Sequence, residues 1–511
     1  MERIELLRSE ALEYPHCGDE LLYLFHKRYI ESEINSEFLK YADAFDFAFS
    51  ELTPNISDGE LIVGKFSRGL TDRKKSEWEN LYRKTAEERI ALSGGGQDSH
   101  MAIDYELLLS KGIRGIISKI DESMESCSKD ALDFYSAAKI CLLAVVKHAD
   151  NYAALAESLA RSEQNALRKS ELLKIASICK KVPAEPASSF YEAVQSVHFV
   201  TYCLTYNPLR RWTQQFQLGH PDRYLISYYR KDISEGLITE DEAQLLLDCL
   251  GIQINLRVPR GLSSGYMVGG RDENGEIVAN ELTEMLMQVI DDIRLVYPSV
   301  GFCYTKDMPD GLLKKACAIL MHGRSHPAIF NDDVITKGLI SYGVPEREAR
   351  NYIHSTCVEI TPVASSNVWV ASPYTNMVQI LLDTMTCEYA SFEDHLNEIF
   401  RKLDCIIEKN FIAENDSRKH RAVHSMNPLL SCFVNDCLAS GVDIERGGAR
   451  YNWIMPSFVG MANLVDSLYV LKRIVYEQKK YTVCELKKIL DNNFRGNEAL
   501  RSYALYELPK Y

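Results

Sequence analysis

From Gly251 onward the chain alternates short apolar runs with long helical stretches, and that order restricts its fold more than any other feature. The runs IQINLRV from Ile252, GYMVGG from Gly265 and VYPSVGFCY from Val296 are brief and continuously apolar, and they read as buried strands. Between and after them, Asn280–Arg294, Gly311–Gly323 and Pro345–Tyr352 carry apolar residues three and four apart, which predicts helices. Strand, helix and strand in repeated succession is the pattern of an α/β protein with largely parallel strands.

The residues before Gly251 read differently. Asp130–Ala160 and Ala166–Lys180 have helical apolar spacing, and a further helix is expected from Ser189, with Glu192 behind it as a capping pattern. Gly94-Gly95-Gly96 interrupts this region as a loop that leads to Ser99-His100. Late in the chain, Thr482 and Glu485 form a capping box for a helix ending near Asn493. No internal repeat or low-complexity linker divides the sequence. The expectation is therefore one domain over 1–511, with a helical part to about residue 250 and a second part over about 251–511.

Composition excludes several functions. The formal net charge of −14, without clustered Lys and Arg, argues against nucleic acid as a partner, since phosphate binding needs a basic face. No apolar stretch reaches the ~18 residues of a membrane span, and the charged N-terminus is unlike a secretory signal. A cytoplasmic location follows as the expectation, with no membrane association. The 14 cysteines contain no CxxC pair, so zinc-ribbon and iron–sulfur spacings are missing, and most are expected to pack as reduced core residues. Cys432 and Cys437 are read this way, and His322 with His326 lacks the flanking acids of a metal site.

The segment Pro345–Asn376, PEREARNYIHSTCVEITPVASSNVWVASPYTN, carries a Cys-x-Glu motif behind a stretch rich in Glu, Ala and Arg. Upstream lie His100 in SHMAIDYELLLSKGIRGI, LGHPDRYLISYYRKDI from Leu218, Gly269-Gly270, and AIFNDDVI from Ala328. Downstream lie Gly447-Gly448-Ala449 before Tyr451-Asn452, then Asp466-Ser467-Leu468 and Asn493-Phe494. Taken together and in this order, these strings resemble the glycyl radical enzymes of the pyruvate formate-lyase superfamily along essentially the whole chain. The resemblance implies a ten-stranded α/β barrel of two parallel half-barrels surrounded by helices, with the reactive cysteine on a finger loop inside. It implies Cys357 as the thiyl radical that abstracts hydrogen from a small-molecule substrate, and Glu359 as general base.

Within that family, Thr356 stands where the acyl-transferring branch has a second cysteine. The Cys-Val-Glu form resembles the eliminating branch instead: diol and hydroxyproline dehydratases, amine and sulfonate lyases, and also arylacetate decarboxylases. The resemblance places substrate contacts at His100, Gln217, Trp369, Ala371 and Asn376, with Tyr374 as a further pocket aromatic. Gln217 and Ala371 stand where diol dehydratases have a serine and an aspartate, which argues against glycerol or propanediol. The radical glycine, in a motif like Arg-Val-x-Gly-Tyr, is expected to be absent from 1–511. Ser264-Gly265-Tyr266, behind Arg257-Val258, lies upstream of Cys357 and reads as part of a barrel strand. The glycine would come from a longer chain or a small glycyl-radical-bearing partner protein. An activating enzyme using S-adenosylmethionine and an iron–sulfur cluster would install the radical, and a homodimer is expected. The competing expectation is a catalytically inactive scaffold of the same fold.

Overall fold

The computed structural model describes residues 2–14, 18–66, 69–87, 100–209, 216–258, 263–355 and 359–510. Gly94-Gly95-Gly96 and Cys357 lie outside them. The chain divides into two compact units, Met1–Val368 with Arg421–Trp453, and Trp369–His420 with Ile454–Tyr511.

The first unit begins with helices, as the apolar spacing predicts. The longest of them there, Lys129–Ser162, starts at Ser128, whose hydroxyl accepts from the Ala131 amide at 3.3 Å. It contains no Gly or Pro, and Ala137, Ala138, Cys141, Ala144 and Val145 give it a narrow buried stripe. Small side chains let the neighbouring helices Glu37–Glu51 and Ala166–Lys181 pack closely against it. Cys141, Cys179, Cys203, Cys249, Cys303, Cys432 and Cys437 are all buried. Burial pushes the Cys179 and Cys249 thiols up to about 12, so neither ionises at neutral pH.

IQINLRV is not a strand. It is the end of the helix Glu240–Arg257, which opens on a reciprocal capping box between Thr239 and Glu242. Every residue from Leu246 to Arg257 is buried, so the segment has no polar face and its helical period disappears from the sequence. The stretch expected to be helical over Pro345–Tyr352 is so only at Glu346–Ala349, because Tyr352 is drawn into a sheet.

Asp248 lies in that buried helix, 6% exposed. Burial pushes its carboxyl up to about 7, against the pull of Gln244, whose Nε2 donates to Oδ1 at 2.9 Å, and Asp292 adds to the push. An unfolded aspartate titrates near ~3.9. Below that pH both states are protonated and the group contributes nothing. Between about 4 and 7 the unfolded chain alone releases its proton, so stability falls as pH rises and the loss is complete above 7. Asp248→Asn is therefore expected to stabilise the fold at pH 8 by up to ~4 kcal/mol and to be near neutral at pH 4. Thermal midpoints of parent and variant at the two pH values check this; equal shifts at both would contradict it.

Five parallel strands follow one another in space as they do in sequence: β1 (Met101–Ala102), β2 (Phe216–Gln217), β3 (Gly265–Gly269), β4 (Ser299–Tyr304) and β5 (Ala328–Asn331). Met101 pairs with Phe216, Gly265 with Ser299 and Gly301 with Ala328. Two further bonds, Leu218 N–H to Gly265 O at 2.7 Å and Met267 N–H to Gly219 O at 2.9 Å, carry β2 onto β3. The result is a parallel half-barrel with helical crossovers. Gly265 is obligatory there, because a Cβ would overlap the Ser299 backbone. Asp222, fully buried, ties β3 to the next crossover by accepting from Gly269 N–H at 2.7 Å and Thr283 Oγ1 at 2.9 Å.

Two strands, β6 (Tyr352–His354) and β7 (Ile360–Pro362), form an antiparallel hairpin in the first unit. Two more, β8 (Ser366–Asn376) and β9 (Tyr451–Val459), run from the first unit into the second. The second unit is built from helices including Met377–Thr384, Met461–Leu471 and Val483–Asp491, the last capped by Thr482 and Glu485 as expected. Its own core joins Met377, Leu381, Ile399, Leu464, Ile474 and Leu486. No helix among the described residues is long and apolar enough to cross a membrane.

Candidate active site

In sequence, the Cys-x-Glu segment falls between β6 and β7, which pair as an antiparallel hairpin. Tyr352 pairs with Pro362 and His354 with Ile360, and Ser355 N–H donates to Glu359 O at 3.0 Å. Thr356, Cys357 and Val358 lie between these two residues and outside the described ones. The stem is buried at Tyr352, Ile353, His354, Ser355 and Thr361, so the hairpin is held within the first unit and not on its surface.

Its anchors are backbone groups. His220 is buried and pressed well below its usual range by burial and by Arg223, so it is neutral. The Tyr352 carbonyl can only accept, so His220 Nε2 donates to it, at 2.6 Å. Val363 N–H donates to Asn351 O and Ala364 N–H to Ala102 O, each at 2.8 Å, which fastens the base of the hairpin to β1. His354 packs against β3, its Nδ1 at 2.8 Å from Met267 Sδ. Burial pushes it down to about 3, so it too is neutral. Gly301 makes room for this contact, since a Cβ there would stand 2.9 Å from His354 Nδ1.

His100 meets this hairpin, and Gln217 stands on the strand paired with β1. His100 immediately precedes β1, is 4% exposed and has a left-handed φ of 59°, an uncommon conformation for a residue with a side chain. Its carbonyl accepts from Thr361 Oγ1 on β7 at 3.4 Å. Gln217 is fully buried in β2 and spans to the start of β3, with Oε1 accepting from Gly265 N–H at 2.8 Å and Nε2 donating to Ser263 O at 3.4 Å. Its amide thus reaches the backbone of the next strand. Glu359 is half-buried just before β7. His100 and Glu359 thus lie at the hairpin, and Gln217 lies on the strand paired with β1.

The other expected contacts belong to the second unit. Trp369 and Ala371 have their backbone in β8, and their side chains lie outside the described ones. Asn376 is exposed and caps the helix Met377–Thr384, its Oδ1 accepting from Val378 N–H at 3.1 Å and Gln379 N–H at 3.2 Å. Tyr374 is exposed as well.

One residue was missed by sequence reading. Arg257 ends the helix Glu240–Arg257 and is 3% exposed, with Nη2 donating to Ser264 Oγ at 2.9 Å. A single charge inside the run CLGIQINLRV is the signal that could have flagged it. A polar cleft of about 570 Å³ in the same unit, lined by Glu106, Arg223, Glu273 and Arg347 among others, follows the C-terminal ends of β1–β3. Neither His100, Gln217 nor Arg257 lines it; these three gather where β1 and β3 begin.

A family model described as pyruvate formate lyase-like matches residues 65–511. The chain belongs to that family. Pyruvate formate lyase-like relatives include a trans-4-hydroxy-L-proline dehydratase of Clostridioides difficile, 31% identical over 441 residues, covering 79% of this chain and 55% of the relative. A (2S)-3-sulfopropanediol dehydratase of Klebsiella oxytoca is 29% identical over 452 residues, covering 80% of this chain and 54% of the relative. The chain thus spans about half the length of the curated relatives it matches. Among solved structures, the glycerol-bound B12-independent glycerol dehydratase of Clostridium butyricum superposes with a TM-score of 0.92 at 25% identity, covering 100% of this chain and 75% of that one. The fold is the α/β barrel of the pyruvate formate lyase-like glycyl radical enzymes, and β1–β5 form a parallel half-barrel among the described residues.

Proposed function

We propose that this chain is the core of a glycyl radical lyase that eliminates a leaving group from a small hydroxylated substrate. The observation that carries the reading is a Cys-Val-Glu motif lying in sequence between the two strands of a buried hairpin clamped to a parallel half-barrel. Burial serves such chemistry because water and oxygen must be kept from a radical while the substrate is held at reacting distance. The names of the two relatives given above support an eliminating reaction, and both name hydroxylated compounds that carry an acid group.

The radical-bearing glycine comes from outside residues 1–511, installed by a radical-SAM activating enzyme, and its chemistry is to take the hydrogen atom of the Cys357 thiol. Cys357 then abstracts a hydrogen atom from the carbon bearing the substrate hydroxyl and holds it as S–H. Glu359 takes the proton of that hydroxyl, which drives out the leaving group on the adjacent carbon. The S–H hydrogen returns to the product. His100, fixed in its left-handed conformation at the mouth of β1, and Gln217 on β2 orient the substrate hydroxyls. Gln217 does so while bonded to the β3 backbone, so its role is partly one of positioning.

Glu359→Gln keeps size and hydrogen bonding and removes the base. In an anaerobically activated preparation it is expected to lower kcat by 10²–10⁴-fold, roughly 3–5 kcal/mol of barrier, with little change in thermal midpoint. A kcat within tenfold of the parent would remove Glu359 from this role.

A further inference from the structure

We propose that Arg257 recognises an anionic group on the substrate, a carboxylate or a sulfonate, and so sets the substrate class of the site proposed above. The inference rests on that reading for its location, but on independent observations for its chemistry.

Arg257 is buried to 3% exposure, yet only one of its three nitrogens is used. Nη2 donates to Ser264 Oγ, while Nε and Nη1 have no hydrogen-bond partner. No carboxylate among the described residues is paired with it. The groups that face it are neutral: Ser264, Tyr105, whose hydroxyl bonds to Thr201 Oγ1 at 2.8 Å, and His198, which burial pushes down to about 3. Burial pushes the guanidinium down only to about 10, so it remains charged at neutral pH. A buried, charged arginine is ordinarily matched by an oxyanion, because its planar fork has donors to fill and its charge has lost water. Among the described residues no oxyanion supplies that match.

The position of the charge gives the vacancy meaning. Ser264 Oγ, which accepts from Arg257, donates to the Phe216 carbonyl. Phe216 pairs with Met101, the residue after His100, and precedes Gln217. The residue after Ser264 is Gly265, whose amide holds Gln217 Oε1. Arg257 is thus one hydroxyl removed from the strand starts that carry both proposed substrate contacts. A hydroxylated substrate bound there would offer its hydroxyl end to His100 and Glu359 and its anionic end to Arg257.

The test is isothermal titration of the full chain with trans-4-hydroxy-L-proline, 3-sulfopropanediol and glycerol, using the parent, Arg257→Gln and Arg257→Lys. At least one anion is expected to bind the parent ten or more times more tightly than neutral glycerol. Arg257→Gln should abolish that preference, weakening the anion about a hundredfold and glycerol less than threefold, while Arg257→Lys retains part of it. Because Arg257→Gln removes an unmatched buried charge, its thermal midpoint should equal or exceed that of the parent. Ligand protection of the parent gives a second readout: the preferred anion should raise its midpoint and glycerol should not. The proposal fails if neither anion outbinds glycerol, if the preference survives in Arg257→Gln, or if that variant melts well below the parent, which would mark a structural ion. Loss of turnover in a Glu359 variant with anion preference intact would bear on the elimination chemistry alone.

Discussion

Cys357→Ala is expected to abolish product formation, by at least ~10⁴-fold, or ~5 kcal/mol of barrier and more. The size follows from the reaction: a C–H bond of the substrate must be broken homolytically, and the thiol is the group proposed to do it. Among the described residues, Cys303 of β4 is buried, with its thiol pushed up by burial, and packs as a core residue. The fold should be indifferent to the change, because the hairpin is anchored at its base through His220, Asn351 and Ala102. Substrate binding by the variant should persist for the same reason. Cys317, exposed on the helix Asp310–Met321, supplies the comparison, and Cys317→Ala should keep full activity. The measurement is product yield per activated protein under strict anaerobiosis, with circular dichroism as the check on folding. Turnover by Cys357→Ala within tenfold of the parent would end the radical reading.

Gly265→Ala is expected to have the largest effect on stability, more than ~3 kcal/mol. A Cβ at Gly265 would overlap the Ser299 carbonyl oxygen and amide nitrogen, which belong to a paired strand and cannot swing aside as a side chain would. Relief requires β3 to move off β4, and β3 also bonds to β2 and to the Gln217 amide. Three elements must therefore yield for one methyl group. Gly311→Ala is the contrast: no atom lies within 4 Å of its would-be Cβ, and it sits in the first turn of a helix. There alanine should stabilise by ~0.5–1 kcal/mol through helix propensity. Thermal midpoints and protease susceptibility of the two variants should move in opposite directions. A Gly265→Ala protein as stable as its parent would mean that the β3–β4 pairing is not as close as described.

Much of this was legible from the residues. Helices with one polar face, such as Lys129–Ser162 and Glu281–Ile293, declared their period, and Thr482 and Glu485 their cap. The Cys-Val-Glu segment was recognisable by motif. The largest error has a physical cause: burial on all sides erases periodicity. From Leu246 to Arg257 every residue is buried, so IQINLRV looked like a strand and ended a helix instead. The same burial hid Arg257, since a basic residue closing a helix ordinarily reads as a solvated partner of the helix dipole. Asn376 shows a different limit. An asparagine fits a pocket contact and a helix cap equally well in sequence, and only the amides of Val378 and Gln379 reveal which hydrogen bonds it makes.

The order of the half-barrel has a consequence for how the protein is made. β1 meets β2 only after four helices have intervened, and at 5–20 residues per second a ribosome needs on the order of ten seconds to deliver that partner. During the interval the helices between them can condense through contacts near in sequence, which form fastest. From then on each new strand docks beside the one synthesised before it, β2 on β1 through to β5 on β4, and brings its covering helix with it. Assembly can thus proceed vectorially from the N-terminus, with a single growing edge, and the hairpin bearing Cys357 emerges only after the wall it lies against has been laid down.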